Sequence, residues 1–161
     1  MEASRKEKFA SRYRVTLLHH LGPEAGQQNA VFQSDRMTAV KFFDRPSRFA
    51  RELEVYRILL ASGTRSIAGH NVPQLILADE ELLVMELSIV QRPFVLDFEG
   101  AMKPEEVPDF EPLTIEEHYE RLRELFGDRW TDALHVAEMF RVATGFTQRL
   151  RTWNARLGIL Q

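Results

Sequence analysis

The chain has 161 residues, 44% of them hydrophobic and 28% charged, with a formal net charge of −3, a composition that excludes collagen-like and low-complexity classes and fits a globular domain. It contains no cysteine, so disulfide frameworks and thiolate zinc sites are excluded. The acidic balance argues against nucleic acid as the main partner, no apolar run reaches the length of a membrane span, and a cytoplasmic protein is expected.

Residues 1–12 are basic, lack an apolar core and read as an amino-terminal tail. Tyr13–Leu21, YRVTLLHHL, is rich in β-formers and stops at Gly22-Pro23, with Gly26 shortly after: a strand and then a loop. NAVFQ and TAVKFF flank the polar Ser34-Asp35-Arg36 and predict a hairpin. Ser47 is the expected helix cap after Pro46, and Phe49, Leu53, Tyr56 and Leu60 form an apolar stripe that predicts a helix over 48–61, ending near Gly63. VPQLILAD and LLVMELSIV flank Glu80-Glu81 and predict a second hairpin, and PFVLDF continues the apolar character. The proline- and acid-rich stretch 103–112 reads as a linker. Two helices follow, roughly Thr114–Leu125 and Trp130–Thr144, separated by Gly127-Asp128 and stopped at Gly145. Phe126, Trp130 and Phe140, with Leu122, Leu125, Leu134 and Ala137, form the expected core stripe of this pair. The histidines show no metal-ligand spacing: strand alternation sends His19 and His20 to opposite faces, and His70, His118 and His135 fit no chelating pattern.

Lys41 stands within a segment that otherwise reads as a buried strand. A lysine stem lies along apolar surface readily, but its ammonium needs water or a partner, so the residue is expected either at a sheet edge or in a functional role. At about 100° per residue, Glu52 borders the apolar stripe of the following helix while Glu54 points away. Ala39, Lys41 and Phe43 share one face of their strand. A helix crossing that face would bring Glu52 to Lys41.

The order of elements, with one helix between the third and fourth of five strands, resembles the small lobe of protein kinases. The resemblance rests on AVK at 39–41, similar to the family's third-strand lysine motif, on RE at 51–52, similar to the glutamate of its lobe-bridging helix, and on VMEL at 84–87, which resembles the hinge. RPFVLDFEGA at 92–101 is similar to a segment of uncharacterised bacterial kinase-like proteins. The resemblance covers residues 13–145 loosely. It implies that Lys41 holds the α- and β-phosphates of ATP, that Glu52 orients Lys41, and that Ala39 lies against the adenine. Met85 would be the gatekeeper, with the carbonyl of Glu86 and the amide of Ser88 facing the purine edge.

The sequence also departs from the family. With Val31 set as the valine of the glycine-rich loop, Glu24, Gly26 and Asn29 occupy its three glycine positions, and only Gly26 matches. Lys41 and Glu52 are closer in sequence than in typical protein kinases. Asn154, the one asparagine after Thr144, follows Arg149 where the family places its catalytic-base aspartate, and no aspartate follows Asp132 to hold magnesium. Asp97 reads as a turn or capping residue.

The expectation is therefore an α+β chain: a five-stranded antiparallel small lobe with one helix and its hinge over residues 13–92, then a linker and an incomplete helical large lobe over 93–161. It would bind ATP or a related nucleotide without the residues of phosphoryl transfer, and the magnesium requirement is left open. The alternatives are a non-catalytic interaction or scaffold protein in which Lys41 and Glu52 are only an internal tie, and a truncated kinase fragment. A protein partner would dock on the incomplete helical portion.

Overall fold

A computed structural model of the chain describes residues 2–21, 30–90, 101–103, 117, 120, 123–124 and 126–148. In chain order the elements are α1 (Glu2–Tyr13), β1 (Leu17–His20), β2 (Ala30–Ser34), β3 (Thr38–Phe42), α2 (Pro46–Ser62), β4 (Ser66–Ile67), β5 (His70–Asn71), β6 (Leu75–Asp79), β7 (Val84–Ser88), β8 (Ala101–Met102), α3 (Trp130–Thr144) and β9 (Thr147–Gln148), with a 3₁₀ turn at Gly127–Arg129. The architecture is mixed α+β, and among the described residues no helix is long and apolar enough to cross a membrane. The chain divides into two compact units, Met1–Leu60 with Pro73–Ile89, and Ala61–Val72 with Val90–Gln161.

The first unit is built on a five-stranded sheet of order β1-β2-β3-β7-β6, antiparallel at every pairing. Both predicted hairpins are present: β2 and β3 turn through Asp35–Met37, and β6 and β7 flank Glu80-Glu81. Lys41 thus lies on an interior strand, which removes the edge-residue explanation of its presence there.

Strand alternation divides the side chains of β3 between two layers. Val40 and Phe42 join Phe9, Val15, Leu82 and Val84 in the core, with Tyr13, Leu17, Phe32 and Leu77 packed around them. This layer includes α1, where a tail was expected. Phe9 and Tyr13 stand one turn apart with their rings 4.9 Å from centre to centre, and Phe9 is fully buried. Arg12 donates to Asp79 (2.7 Å) and Glu81 (2.8 Å), and Arg5 donates to the Phe43 carbonyl (2.7 Å). At the carboxyl end Arg14 takes a left-handed φ of 51°. The Val15 amide then reaches back to the Ala10 carbonyl at 3.1 Å, closing the helix as a Schellman turn does. Phe9 and Tyr13 are the only large apolar residues among the twelve, so this helix owes its place to docking rather than to propensity.

On the opposite layer, α2 packs through Phe49, whose ring meets Phe43 edge-on at 5.5 Å. The helix begins at Pro46, a position where the missing N–H costs nothing, so Ser47 lies inside the first turn rather than capping it. Its buried face is Phe49, Glu52, Leu53, Val55, Tyr56 and Leu59. Leu60, expected in the stripe, is 54% exposed although its helical angle falls between those of the buried Tyr56 and Leu53; it stands in the last turn of the helix.

In the second unit α3 spans Trp130–Thr144 as expected and ends at Gly145, whose φ of 75° is the left-handed conformation that glycine adopts freely. Phe126 and Ala133 pack with Trp130 and Ala137, and Val136 and Phe140 are buried on α3. Leu134, placed in the core stripe by the sequence, is 39% exposed; Ala133 and Val136 hold the buried face. The two-residue ladders β4–β5 and β8–β9 are too short for a periodic signal. The expected helix over 114–125 and the stretches PFVLDF and 104–112 lie largely or wholly outside the described residues.

Candidate functional site

The register of the first unit places the predicted residues in two rows. Val31 pairs with Lys41 and Lys41 with Met85; in the next row Gln33 pairs with Ala39 and Ala39 with Leu87. Directly opposed residues share a face, so Val31, Lys41 and Met85 lie side by side, with Ala39 beside them. Met85 is fully buried, and Val31 and Ala39 are half-buried.

Lys41 and Glu52 meet. The Lys41 ammonium donates to both carboxylate oxygens, at 2.9 Å to Oε1 and 2.8 Å to Oε2, with the two side chains 12% and 3% exposed. The same ammonium sits 4.9 Å from the centre of the Phe43 ring, where the negative face of the π-system attracts a cation. The helix positions Glu52 because its buried stripe docks on the Lys41 face; Glu54, two residues on, is exposed. Two short bonds to one carboxylate fix the direction of a stem with four rotatable bonds.

Glu86 and Ser88 stand differently. The Phe43 amide donates to the Leu83 carbonyl, and the Ser88 amide donates to the Gln74 carbonyl at 2.9 Å. In an antiparallel ladder backbone groups alternate between neighbours, so odd-numbered residues of β7 face β3 and even-numbered ones face β6. The Ser88 amide is already bonded within the sheet, and its hydroxyl accepts from the Gln74 amide at 2.8 Å. The Glu86 carbonyl is turned toward β6, whose Leu77 is its register partner. Neither group faces outward where a purine edge would lie. Gly26, with Glu24 and Asn29, lies outside the described residues, as do Asp97, Arg149 and Asn154.

The side chain of Glu86 was missed by the sequence reading, which considered only its main chain. It is 1% exposed, on the α1 side with Val40 and Val84. Thr38 Oγ1 donates to its Oε1 at 2.6 Å, and Ser34 Oγ is 2.6 Å from Thr38 Oγ1. Oε2 has no hydrogen-bond partner among the described residues, and the Arg36 guanidinium stands 3.9 Å away. Arg36 also donates to the Tyr13 carbonyl at 2.6 Å, so it joins the end of α1 to this buried acid. The alternation of VMELS carried the signal: an acid in register with valine on a two-sided strand must be buried.

A second polar centre surrounds Asp79, which accepts from Arg12 at 2.7 Å, from the Tyr13 hydroxyl at 2.8 Å and from the Leu82 amide at 2.9 Å. Burial pushes its carboxyl upward, but these three donors together outweigh burial and hold it below the ordinary aspartate range. The Tyr13 hydroxyl is pushed up, first by burial and then by its bond to Asp79. The geometry is that of a structural clamp between α1 and the β6–β7 turn. Among the described residues no group of three or more histidine, aspartate or glutamate side chains is arranged to hold a metal ion.

Comparison with protein-family models, with curated proteins and with solved structures returned no match.

Proposed function

We propose that the first unit is a protein-kinase-like small lobe that binds ATP or a related nucleotide against the Lys41 face. The observation that carries the reading is the two-oxygen contact between Lys41 and Glu52 at 2.8–2.9 Å. It occurs on the third strand of a sheet ordered β1-β2-β3-β7-β6 with α2 entered directly from that strand. A lysine oriented by a helix carboxylate is what phosphate capture requires, and the half-buried Val31 and Ala39 beside it offer apolar contact to a base. The reading assigned to the described residues is nucleotide binding.

A second reading, a non-catalytic interaction protein in which the ion pair is an internal tie, is favoured by the Ser88 amide being bonded to Gln74. Calorimetric titration of the full chain with ATP, with and without magnesium, separates the two. The nucleotide reading expects saturable heat that Lys41→Ala abolishes and Glu52→Gln weakens. Absence of binding in a folded sample overturns it and leaves the tie.

A further inference from the structure

We infer that the β4–β5 hairpin of the second unit is an acid-released latch: it holds to α3 while the His70 ring is neutral and lets go when that ring takes up a proton. The hairpin turns through Ala68-Gly69, both at positive φ (48° and 80°), the conformation a two-residue hairpin turn demands and an alanine resists. Its ladder pairs Ser66 with Asn71 and Ile67 with His70, extended by the Val72 amide donating to the Arg65 carbonyl at 3.0 Å. So few backbone bonds give it little stability of its own. Side-chain docking has to fix it. Opposed residues share a face, which sets Ile67 beside His70, with Arg65 and Val72 in the next row of the same side. Ile67 and Val72 are buried, Ser66 and Asn71 on the other side are exposed, and α3 packs against β4.

His70 stands on this covered face. Its Nδ1 is enclosed and has no hydrogen-bond partner among the described residues. Neutral imidazole keeps that nitrogen as a bare acceptor, whereas imidazolium carries an N–H at both nitrogens, and an enclosed N–H without an acceptor forfeits its hydration outright. Asp132, in the first turn of α3, is the charge that favours the cation. Of the other charged or titratable groups on these elements, Arg65, Asp128 and His135 are exposed, Arg129 is half-buried, and Glu138 and Arg141 pair with one another at 2.6 Å. Burial outweighs Asp132 and holds the imidazole below the ordinary histidine range. The released hairpin takes up its proton at the ordinary value of about 6.5. Docking is therefore fully present above that value and declines as pH falls below it, by about 10-fold at one pH unit lower. Release uncovers Ile67 and Val72.

The test is nuclear magnetic resonance on the full chain, following the histidine ring signals through a pH titration and the amide exchange at about pH 7.5 and about pH 5.5, expressed as protection factors. The inference expects His70 to titrate below 6.5. Between the two conditions the Val72 amide should lose about 10-fold more protection in the parent than in His70→Gln, while the Phe140 amide within α3 keeps its protection. Asp132→Asn, which removes the charge favouring the cation, should lower the His70 midpoint further. If His70→Gln fails to fold, the ring is assigned in the parent by correlation to its own backbone, and the midpoint decides. A midpoint at or above 6.5, or an equal loss at Val72 in both proteins, overturns the inference. A joint loss at Val72 and Phe140 shows the whole unit yielding rather than the hairpin letting go, and overturns it as well.

Discussion

Replacing the Lys41–Glu52 pair one side at a time and then together tests whether it is a desolvated contact. At 2.8 Å and an effective dielectric of about 20, the gross attraction is about 6 kcal/mol. Withdrawing each charge from water costs several kcal/mol, so the intact pair is close to balance. Removing one member takes this contact from the other at 12% or 3% exposure. Fully buried pairs lose about 3–5 kcal/mol on such a change. Because Lys41 retains some access to water, Glu52→Leu is expected to cost about 3 kcal/mol, the lower end of that range, and Lys41→Met, which strands the better-buried carboxylate, at least about as much. The double variant, apolar on both sides, should lie within about 1 kcal/mol of the parent. Urea unfolding of the four proteins yields the coupling energy, the double-variant loss minus the two single losses, expected to be about 5–7 kcal/mol in magnitude. Single losses below about 1 kcal/mol that simply add would place the pair with solvent-screened surface bridges and refute the buried-pair argument.

The Asp79 centre gives stability a pH dependence on both limbs. Its carboxyl is depressed in the folded chain, so its contribution is present above the unfolded aspartate value of about 3.9 and lost as pH falls through the folded value; Asp79→Asn should flatten the acid limb of a stability-against-pH curve. The Tyr13 hydroxyl is raised, so its contribution is present below the unfolded value of about 10 and lost as pH rises through the folded one. Tyr13→Phe should remove that alkaline loss. Phe9→Ala, at a fully buried ring, should cost about 3–5 kcal/mol in urea unfolding. Gly145→Ala, at φ 75°, should cost about 1 kcal/mol, seen as a lowered melting temperature of the second unit.

The elements legible in the sequence are those with a dense local pattern. TAVKFF and VMELS alternate around buried valines and a phenylalanine, and their turns carry polar residues, so both hairpins could be placed. Glu52 was separable from Glu54 because 100° per residue sets one beside the apolar stripe and the other opposite it. α1 was not legible, since Phe9 and Tyr13 are its only large apolar residues among many charges, and the partners that order it lie far along the chain. The error at Leu134 has a plain cause: apolarity marks a residue as able to be buried, while the neighbouring layer decides which of two adjacent stripes is covered; Leu60 lies on the covered stripe, but in the last turn of its helix. The site was half legible. Facing side chains follow from strand period, but the direction of the Glu86 and Ser88 backbone groups depends on the register with β3 and β6, which no single strand sequence contains.

The contacts of the first unit differ widely in sequence span. Lys41 and Glu52 are 11 residues apart, whereas Arg12 and Asp79 are separated by 67. Local contacts close with little loop entropy and form early. In synthesis from the amino terminus, β3 and α2 have both emerged soon after one another, while Phe9 waits for Leu82 and Val84. At about 5–20 residues per second, a chain that has already made α1 continues for roughly 3–13 s before the acid that clamps it exists. Over that interval Phe9 lacks part of the wall it packs against, and the nascent chain carries an apolar ring that a holdase can occupy and that the arrival of the β6–β7 turn withdraws.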